Sequence, residues 1–455
     1  MSSVDSLRGV VASLMSQARA DLAELVAIRS VANHDVEPPE ECAKAARWLI
    51  DRFTEAGLSE VTAALTPDGS RCVHGVAPGP PGSPTVLLYC HYDVQPPLDE
   101  NAWVTPVWEL TERDGRWYGR GAADCKGNIV AHLTALRALA KHDGGFPCTI
   151  KLIAEGSEEQ GTGGLEAFVP EHAELLAADA ILVADTGNFA VGVPTLTTAL
   201  RGMTTVDVRL AALSSPMHSG MFGGPAPDPV VGMVQLLASL HDEHGNTTVD
   251  GIDATEVWQG VDYPDDAFRA DANVLDGVEL MGDGTVADLL WARPSATVLG
   301  MDIPSVTGSA AAVQAMAAAR VSLRLPPGTT ARQAQDALVE HLRRRVPWGL
   351  RYRIDRVAAG DPFIGSLDGP AFEAMRSAME DAFKHPMATE GQGGSIPLCT
   401  VLADTFPTAE IMLLGVEEPR CLIHAPNESV DPSEIEHLAL AEALFLTRYA
   451  ASGDT

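Results

Sequence analysis

The chain has 455 residues, of which 46% are hydrophobic and 20% charged, and its formal net charge is −31. That length buries a full core and points to two domains, and the apolar-to-charged balance excludes wholesale disorder. So large an excess of carboxylates repels nucleic acid and anionic lipid, so neither is expected as a partner. In chain order, Leu7, Val10, Val11, Leu14, Ala18, Leu22, Leu25 and Val26 recur at helical intervals. A second helix fits 40–56, closed by Gly57. Near-continuous apolar runs at 85–90, 148–154, 180–184 and 410–416 read as strands buried on both faces, with helices at 128–141, 165–178 and 371–384. This alternation implies an α/β fold, a mostly parallel sheet flanked by helices, whose ligands collect beyond the carboxyl ends of the strands. The middle of the chain differs. Alternating strand patterns at 203–210 and 319–325, and helices at 230–240 and 331–345, predict a smaller α+β domain over 201–355. It is inserted between 1–200 and 356–455, the two parts of the first domain.

The seven cysteines are odd in number and show no C-x-x-C spacing, which fits reduced thiols in a cytosol better than a disulfide framework. The opening residues lack a basic region followed by an unbroken apolar core, and no apolar run reaches about 18 residues. A cytoplasmic protein that spans no membrane is therefore expected.

Five segments at or near these strand ends carry metal-ligand chemistry: His91-x-Asp93, Asp124, Glu158-Glu159, Asp185 and His424. Imidazole and carboxylate without thiolate suit zinc, manganese or cobalt. Two ions sharing one carboxylate need about five protein ligands, and His91, Asp124, Glu159, Asp185 and His424 supply them. Glu158 is then left to take a proton from an activated water. Asp93, two residues on from His91 in an extended segment, can orient its ring. Singly, each piece has a plainer reading: a surface pair, a solvated face, a turn residue, a buried histidine. Their conjunction after successive apolar runs is the signal, because carboxylates so gathered repel one another unless cations lie between them.

The segments HYDVQP (91–96), YGRGAADCKG (118–127), GSEEQGTGG (156–164), VADTG (183–187), SPMHSGMFGG (215–224), VSLRLPPG (321–328), GQGGSIP (391–397) and HAPNE (424–428) resemble the di-metal aminoacylase/carboxypeptidase G/carnosinase family, in the family's order. HYDVQP and MHSGMFGG look like its dipeptidase branch. The resemblance implies a dipeptidase acting on substrates with a free terminal carboxylate and holding two divalent ions per subunit, zinc before manganese or cobalt. Asp124 would bridge the ions, with His91 and Asp185 at one and Glu159 and His424 at the other. Glu158 would be the general base and Asp93 the support of His91. The inserted domain would act as lid and dimerisation domain of a homodimer, its His218 reaching the partner's site to stabilise the oxyanion, with Arg324 and Ser395 on the substrate carboxylate. A cis peptide is implied after Asp124, where Cys125 stands in place of a common second Asp. The runner-up activity is an N-acyl-amino-acid amidohydrolase, which uses the same chemistry in a different pocket. A non-catalytic scaffold on the same fold is disfavoured because every expected ligand and base position is filled.

Overall fold

The computed structural model describes residues 3–143, 145–365, 367–394 and 396–452. The chain forms two compact units, Met1–Thr198 with Gly365–Glu390 and Pro397–Thr455, and Ala199–Ile364 with Gly391–Ile396.

The first unit opens with α1 (Ser3–Ala27) and α2 (Pro39–Glu55), followed by β1 (Ser59–Leu65), β2 (Arg71–Ala77) and β3 (Thr85–His91). Helix α3 (Lys126–Asp143), β4 (Thr149–Glu155) and β5 (Ala180–Ala184) come next. The second unit contributes β6 (Gly202–Ala211), α4 (Pro229–Ala238), β7 (Ser295–Asp302), β8 (Met316–Leu325), α5 (Ala331–Arg345) and β9 (Arg351–Gly360). The chain returns to the first unit with α6 (Pro370–Phe383), β10 (Glu410–Leu414) and α7 (Pro432–Ser452).

In the first unit the strands run in the order β1-β2-β4-β3-β5-β10. The four central strands pair in parallel, and β1 and β2 extend one side antiparallel. Every residue of β5 and all of β3 after Thr85 are buried, which is why these strands read as unbroken apolar runs. Helices α1, α3, α6 and α7 close one continuous core against the sheet, with Leu22, Leu136, Met379 and Phe445 among its members. The second unit is an antiparallel sheet in the order β7-β8-β6-β9 with its own core, built from Val208, Val321 and Leu323 and from Leu236 of α4 and Leu338 of α5.

Three features differ from the sequence expectation. The helix expected at 165–178 is divided into Gly164–Glu171 and Ala173–Leu176, because Pro170 lacks an N–H and His172 leaves helical geometry at φ −122°. The second unit has four long strands where two were expected. Strands β7 and β9 are edges whose residues are mostly exposed or half-buried, so neither carries the alternation of a strand with one covered face. A domain boundary at 355 cuts through β9, whose pairing with β6 continues to Gly360. Among the described residues, no helix is long and apolar enough to cross a membrane.

Candidate metal centre

The parallel register sets the geometry. His91 ends β3 opposite Glu155 at the end of β4, and Ala184 ends β5 opposite Leu414 at the end of β10. The residues that follow therefore emerge together past the carboxyl edge. Beyond β4 the chain makes one 3-10 turn, Glu158–Gln160, and beyond β5 comes Asp185. Asp124 occupies the turn leading into α3, and its peptide bond to Cys125 is cis, as the resemblance implies. His424 lies in the loop after β10 with φ +62°, uncommon for a residue with a side chain. The next residue holds that loop: the Ala425 N–H donates to the Leu422 carbonyl, and Arg120 donates to the Ala425 carbonyl.

Asp124 stands between two imidazoles. One of its carboxylate oxygens is 2.9 Å from His91 Nε2 and the other 3.0 Å from His424 Nε2. Asp185 Oδ1 lies 3.0 Å from His91 Nε2, and Glu159 Oε2 lies 3.1 Å from His424 Nε2. Asp124, Glu159 and His424 offer ligand atoms within 4.8 Å of one another, as do His91, Asp185 and Cys125. The site is closed behind His91, whose side chain is 0% exposed, and opens at His424, which is 53% exposed.

Four further residues brace this arrangement, and sequence reasoning assigned a role to only one of them. His91 Nδ1 donates to the backbone carbonyl of Asp93 at 3.1 Å, closer than the Asp93 carboxylate at 3.5 Å. The Asp93 carboxylate instead accepts the backbone N–H groups of Glu158 and Glu159, each at 3.1 Å. Thus Asp93 orients His91 through its main chain and fixes the Glu158-Glu159 turn through its side chain. Gln95 donates its backbone N–H and its side-chain amide to the Glu159 carboxylate at 3.1 and 2.8 Å. The buried Glu428 accepts from Gly121, Ala123 and Asp124 backbone N–H groups and from Arg120, so it holds the turn that presents Asp124. Glu417 is buried, sits with Asp124 and Asp185, and accepts from Asn128 at 3.2 Å. Glu428, four residues after His424 in HAPNE, was the readable signal; Glu417 had none beyond its place after β10. Cys125 donates to the Ala184 carbonyl at 3.0 Å, and burial pushes its thiol up to about 12, which leaves it no nucleophilic part.

The electrostatics test whether the site suits cations. Burial, then the charge of Asp185, pushes Glu158 up to about 9. Burial raises Asp185 to about 6 and raises Glu159 as well. Burial also opposes the Asp124 charge, but hydrogen bonds from His424 and His91 outweigh it and hold that carboxyl below its usual range. Hydrogen bonds to Asp124 and Glu159 raise His424 to about 10. Among the described residues no Lys or Arg pairs with Asp124, Asp185 or Glu159. Lys126 is turned away, its Nζ donating to the Leu25 and Ile28 carbonyls. A set of acids and imidazoles that offers oxygen and nitrogen, and that no Lys or Arg neutralises among the described residues, fits divalent cations.

Of the other predicted residues, His218 and Arg324 belong to the second unit, and Ser395 lies outside the described residues. The His218 Nδ1 accepts the Gly220 N–H at 3.1 Å, and His218 is exposed at the end of a short strand, Met217–His218, that pairs with Ala312–Val313. Arg324 is half-buried on β8.

A mostly parallel sheet with imidazoles and acids gathered past its carboxyl edge, in a chain that also forms a separate antiparallel unit, defines a metallopeptidase of α/β architecture. Residues 87–448 match peptidase family M20/M25/M40, and the chain belongs to that family. It is a hydrolase acting on peptide bonds. Over 410 residues it is 43% identical to a cysteinylglycine-S-conjugate dipeptidase of Corynebacterium striatum, a match covering 89% of this chain and 90% of that one. Its fold is similar to that of human carnosine dipeptidase 1, with a TM-score of 0.81 at 22% identity and 99% of both chains covered. The di-peptidase Dug1p of Saccharomyces cerevisiae is equally similar, with the same score, identity and coverage.

Proposed function

We propose that the chain is a dipeptidase dependent on two divalent cations. Asp124 would be shared between them, with His91 and Asp185 completing one site and Glu159 and His424 the other. The observation that carries this reading is the position of Asp124, with one oxygen at 2.9 Å from His91 and the other at 3.0 Å from His424. When bound, such ions polarise the scissile carbonyl and bring water to ionise near pH 7. The donor set suits zinc first, with manganese and cobalt as alternatives.

The chain's own residues divide the remaining work. Glu158 takes the proton of the attacking water and delivers it to the leaving amine. Its basicity in the absence of cations comes from burial and from Asp185. Neutralising Asp185 removes the second contribution and leaves the first. Asp93 keeps Glu158 and Glu159 on one turn so that base and ligand move together. His218 stabilises the oxyanion from the partner subunit, and Arg324 and Ser395 grip the substrate's terminal carboxylate, a group that a guanidinium fork matches well. The second unit is accordingly the lid and dimerisation domain. The cysteines are unpaired, which supports a reducing compartment such as the cytoplasm.

The similar proteins named above are dipeptidases, so the amidohydrolase alternative is not favoured. The 43% identical relative directs the first assay to S-conjugates of cysteinylglycine. Chelator-stripped protein reloaded with zinc, manganese or cobalt is to be offered these conjugates, β-alanyl-histidine and a panel of N-acyl amino acids. Hydrolysis of dipeptides is expected. Turnover of N-acyl amino acids alone rejects the reading. In the same assay Glu158→Gln retains its metal and loses at least about 10²-fold in kcat.

A further inference from the structure

A buried guanidinium in the second unit carries an inference that rests on the reading of Arg324 given above. Arg201 is 4% exposed. Its backbone N–H donates to the Gln392 carbonyl at 3.0 Å. One terminal nitrogen donates to the Leu290 carbonyl at 2.7 Å, and the other to the Arg293 carbonyl at 3.2 Å and to Ser295 Oγ at 2.6 Å. The remaining nitrogen, Nε, is buried without a hydrogen-bond partner.

Ser295 is the register partner of Arg324 across the antiparallel β7–β8 pair. Directly opposed residues in such a pair project to the same face. That face is the reverse of the one on which Val321, Leu323 and Leu325 enter the unit's core. The hydrogen bond to Ser295 therefore brings the buried Arg201 beside the half-buried Arg324, and two positive side chains share one corner. Every acceptor on Arg201 is neutral. Among the described residues no acidic side chain acts on either guanidinium: burial lowers both, and the charge of Arg324 lowers Arg201 further, to about 10.

Burying two like charges together without a counter-charge is unfavourable in the free protein. The arrangement becomes favourable when an anion arrives, and a carboxylate matches the guanidinium fork in shape and charge. We propose that Arg201 is a positioning residue of a carboxylate subsite centred on Arg324. Fixed by two carbonyls and the Ser295 hydroxyl, it adds a second full positive charge to the field met by the peptide's terminal carboxylate. The subsite thereby discriminates a free acid from its amide by charge as well as by hydrogen bonding.

The test compares a dipeptide, measured by KM and kcat, with its C-terminal amide, measured as a competing ligand by Ki. The metal-loaded enzyme and the variants Arg201→Gln, Arg201→Lys, Ser295→Ala and Arg324→Gln are used. In Arg201→Gln, KM for the dipeptide rises about tenfold, kcat stays within about twofold and Ki for the amide is unchanged. Arg201→Lys, which keeps the charge, recovers part of the loss. Equal shifts for acid and amide in Arg201→Gln, as a purely structural role gives, overturn the proposal, and so does no shift at all. Should Arg201→Gln fail to fold, Ser295→Ala decides. It cuts the link while leaving both charges, so KM for the acid alone rises about threefold, and an unchanged KM overturns the proposal. Arg324→Gln separates the two levels of inference. If it leaves the discrimination between acid and amide intact, Arg324 does not meet the carboxylate and the underlying reading fails. If it abolishes the discrimination while Arg201→Gln behaves as wild type, only Arg201 leaves the subsite.

Discussion

Asp93 shows how one side chain serves two parts of the centre. Its carbonyl accepts His91 Nδ1–H, which leaves Nε2 directed at Asp124 and Asp185, while its carboxylate accepts two consecutive backbone N–H groups. Asp93→Ala keeps the carbonyl but removes the carboxylate that accepts the Glu158 and Glu159 N–H groups, and each buried N–H left unpaired costs about 1–3 kcal/mol. The expected result is a lower melting temperature together with at least about tenfold weaker metal binding, measured by competition with a chelator. Wild-type affinity in this variant removes Asp93 from its bracing role. Glu428 acts in the same manner on Asp124. Glu428→Gln exchanges a carboxylate for an amide whose N–H groups meet donors from Arg120, Gly121, Ala123 and Asp124. A destabilisation of about 3–5 kcal/mol is expected by chemical denaturation, as for a broken buried ion pair. The acids and imidazoles themselves were legible because each follows an apolar run. Glu428 was readable only through its place four residues after His424, and Gln95 and Glu417 were not, because a polar residue placed by hydrogen bonds has no periodicity to betray it.

At the scale of elements, close approach between strand ends decides what side chains are tolerated. Gly415 follows β10, and a Cβ there stands 1.7 Å from the Thr186 carbonyl oxygen. Gly415→Ala therefore forces apart the two segments that carry Asp185 and, further on, His424. A loss of at least about 3 kcal/mol is expected, seen as a reduced melting temperature. In the second unit, α5 starts with a reciprocal cap in which Thr330 accepts from the Gln333 backbone and Gln333 accepts from Thr330. Thr330→Ala is expected to lower stability by about 1 kcal/mol in a denaturant titration, with no effect on metal content. The helix itself was legible over its whole length, 331–345, because apolar spacing and the cap agree. Strands β7 and β9 escaped detection for the opposite reason. An edge strand keeps its place through main-chain pairing to one neighbour, and its exposed side chains need no alternation of apolar and polar residues.

For the whole molecule, the dominant quantity is excess negative charge, with many acids drawn into the interior. Glu390 is buried without a charged partner, and burial raises its carboxyl to about 8. An unfolded chain binds that proton only below about 4.3, so the folded state holds more protons across the interval between these values. This contribution to stability is complete at low pH and is lost as pH rises through about 8. Glu390→Gln, an uncharged isostere, is therefore expected to melt above wild type at about pH 9 and to narrow the fall in melting temperature between about pH 6 and 9. Parallel curves for the two proteins rule out the assignment. In the proposed two-cation centre, chelation removes the counter-charge from Asp124, Asp185 and Glu159 together. Stripped protein is expected to melt lower than metal-loaded protein by a margin that grows with free metal concentration.

The sequence by itself determined the class of fold and the family, and it marked the acids and imidazoles that the structure gathers. It did so because buried parallel strands must be apolar throughout, so the acids and imidazoles at their ends stand out as interruptions. Only the tertiary structure decided which oxygen of Asp124 faces which imidazole, that Asp93 works through its carbonyl as well as its carboxylate, and that Arg201 and Arg324 share a corner without an acid. These are relations between segments up to three hundred residues apart, as with Asp124 and His424. Distances of this kind are fixed by strand register and loop closure, which leave no trace in local composition.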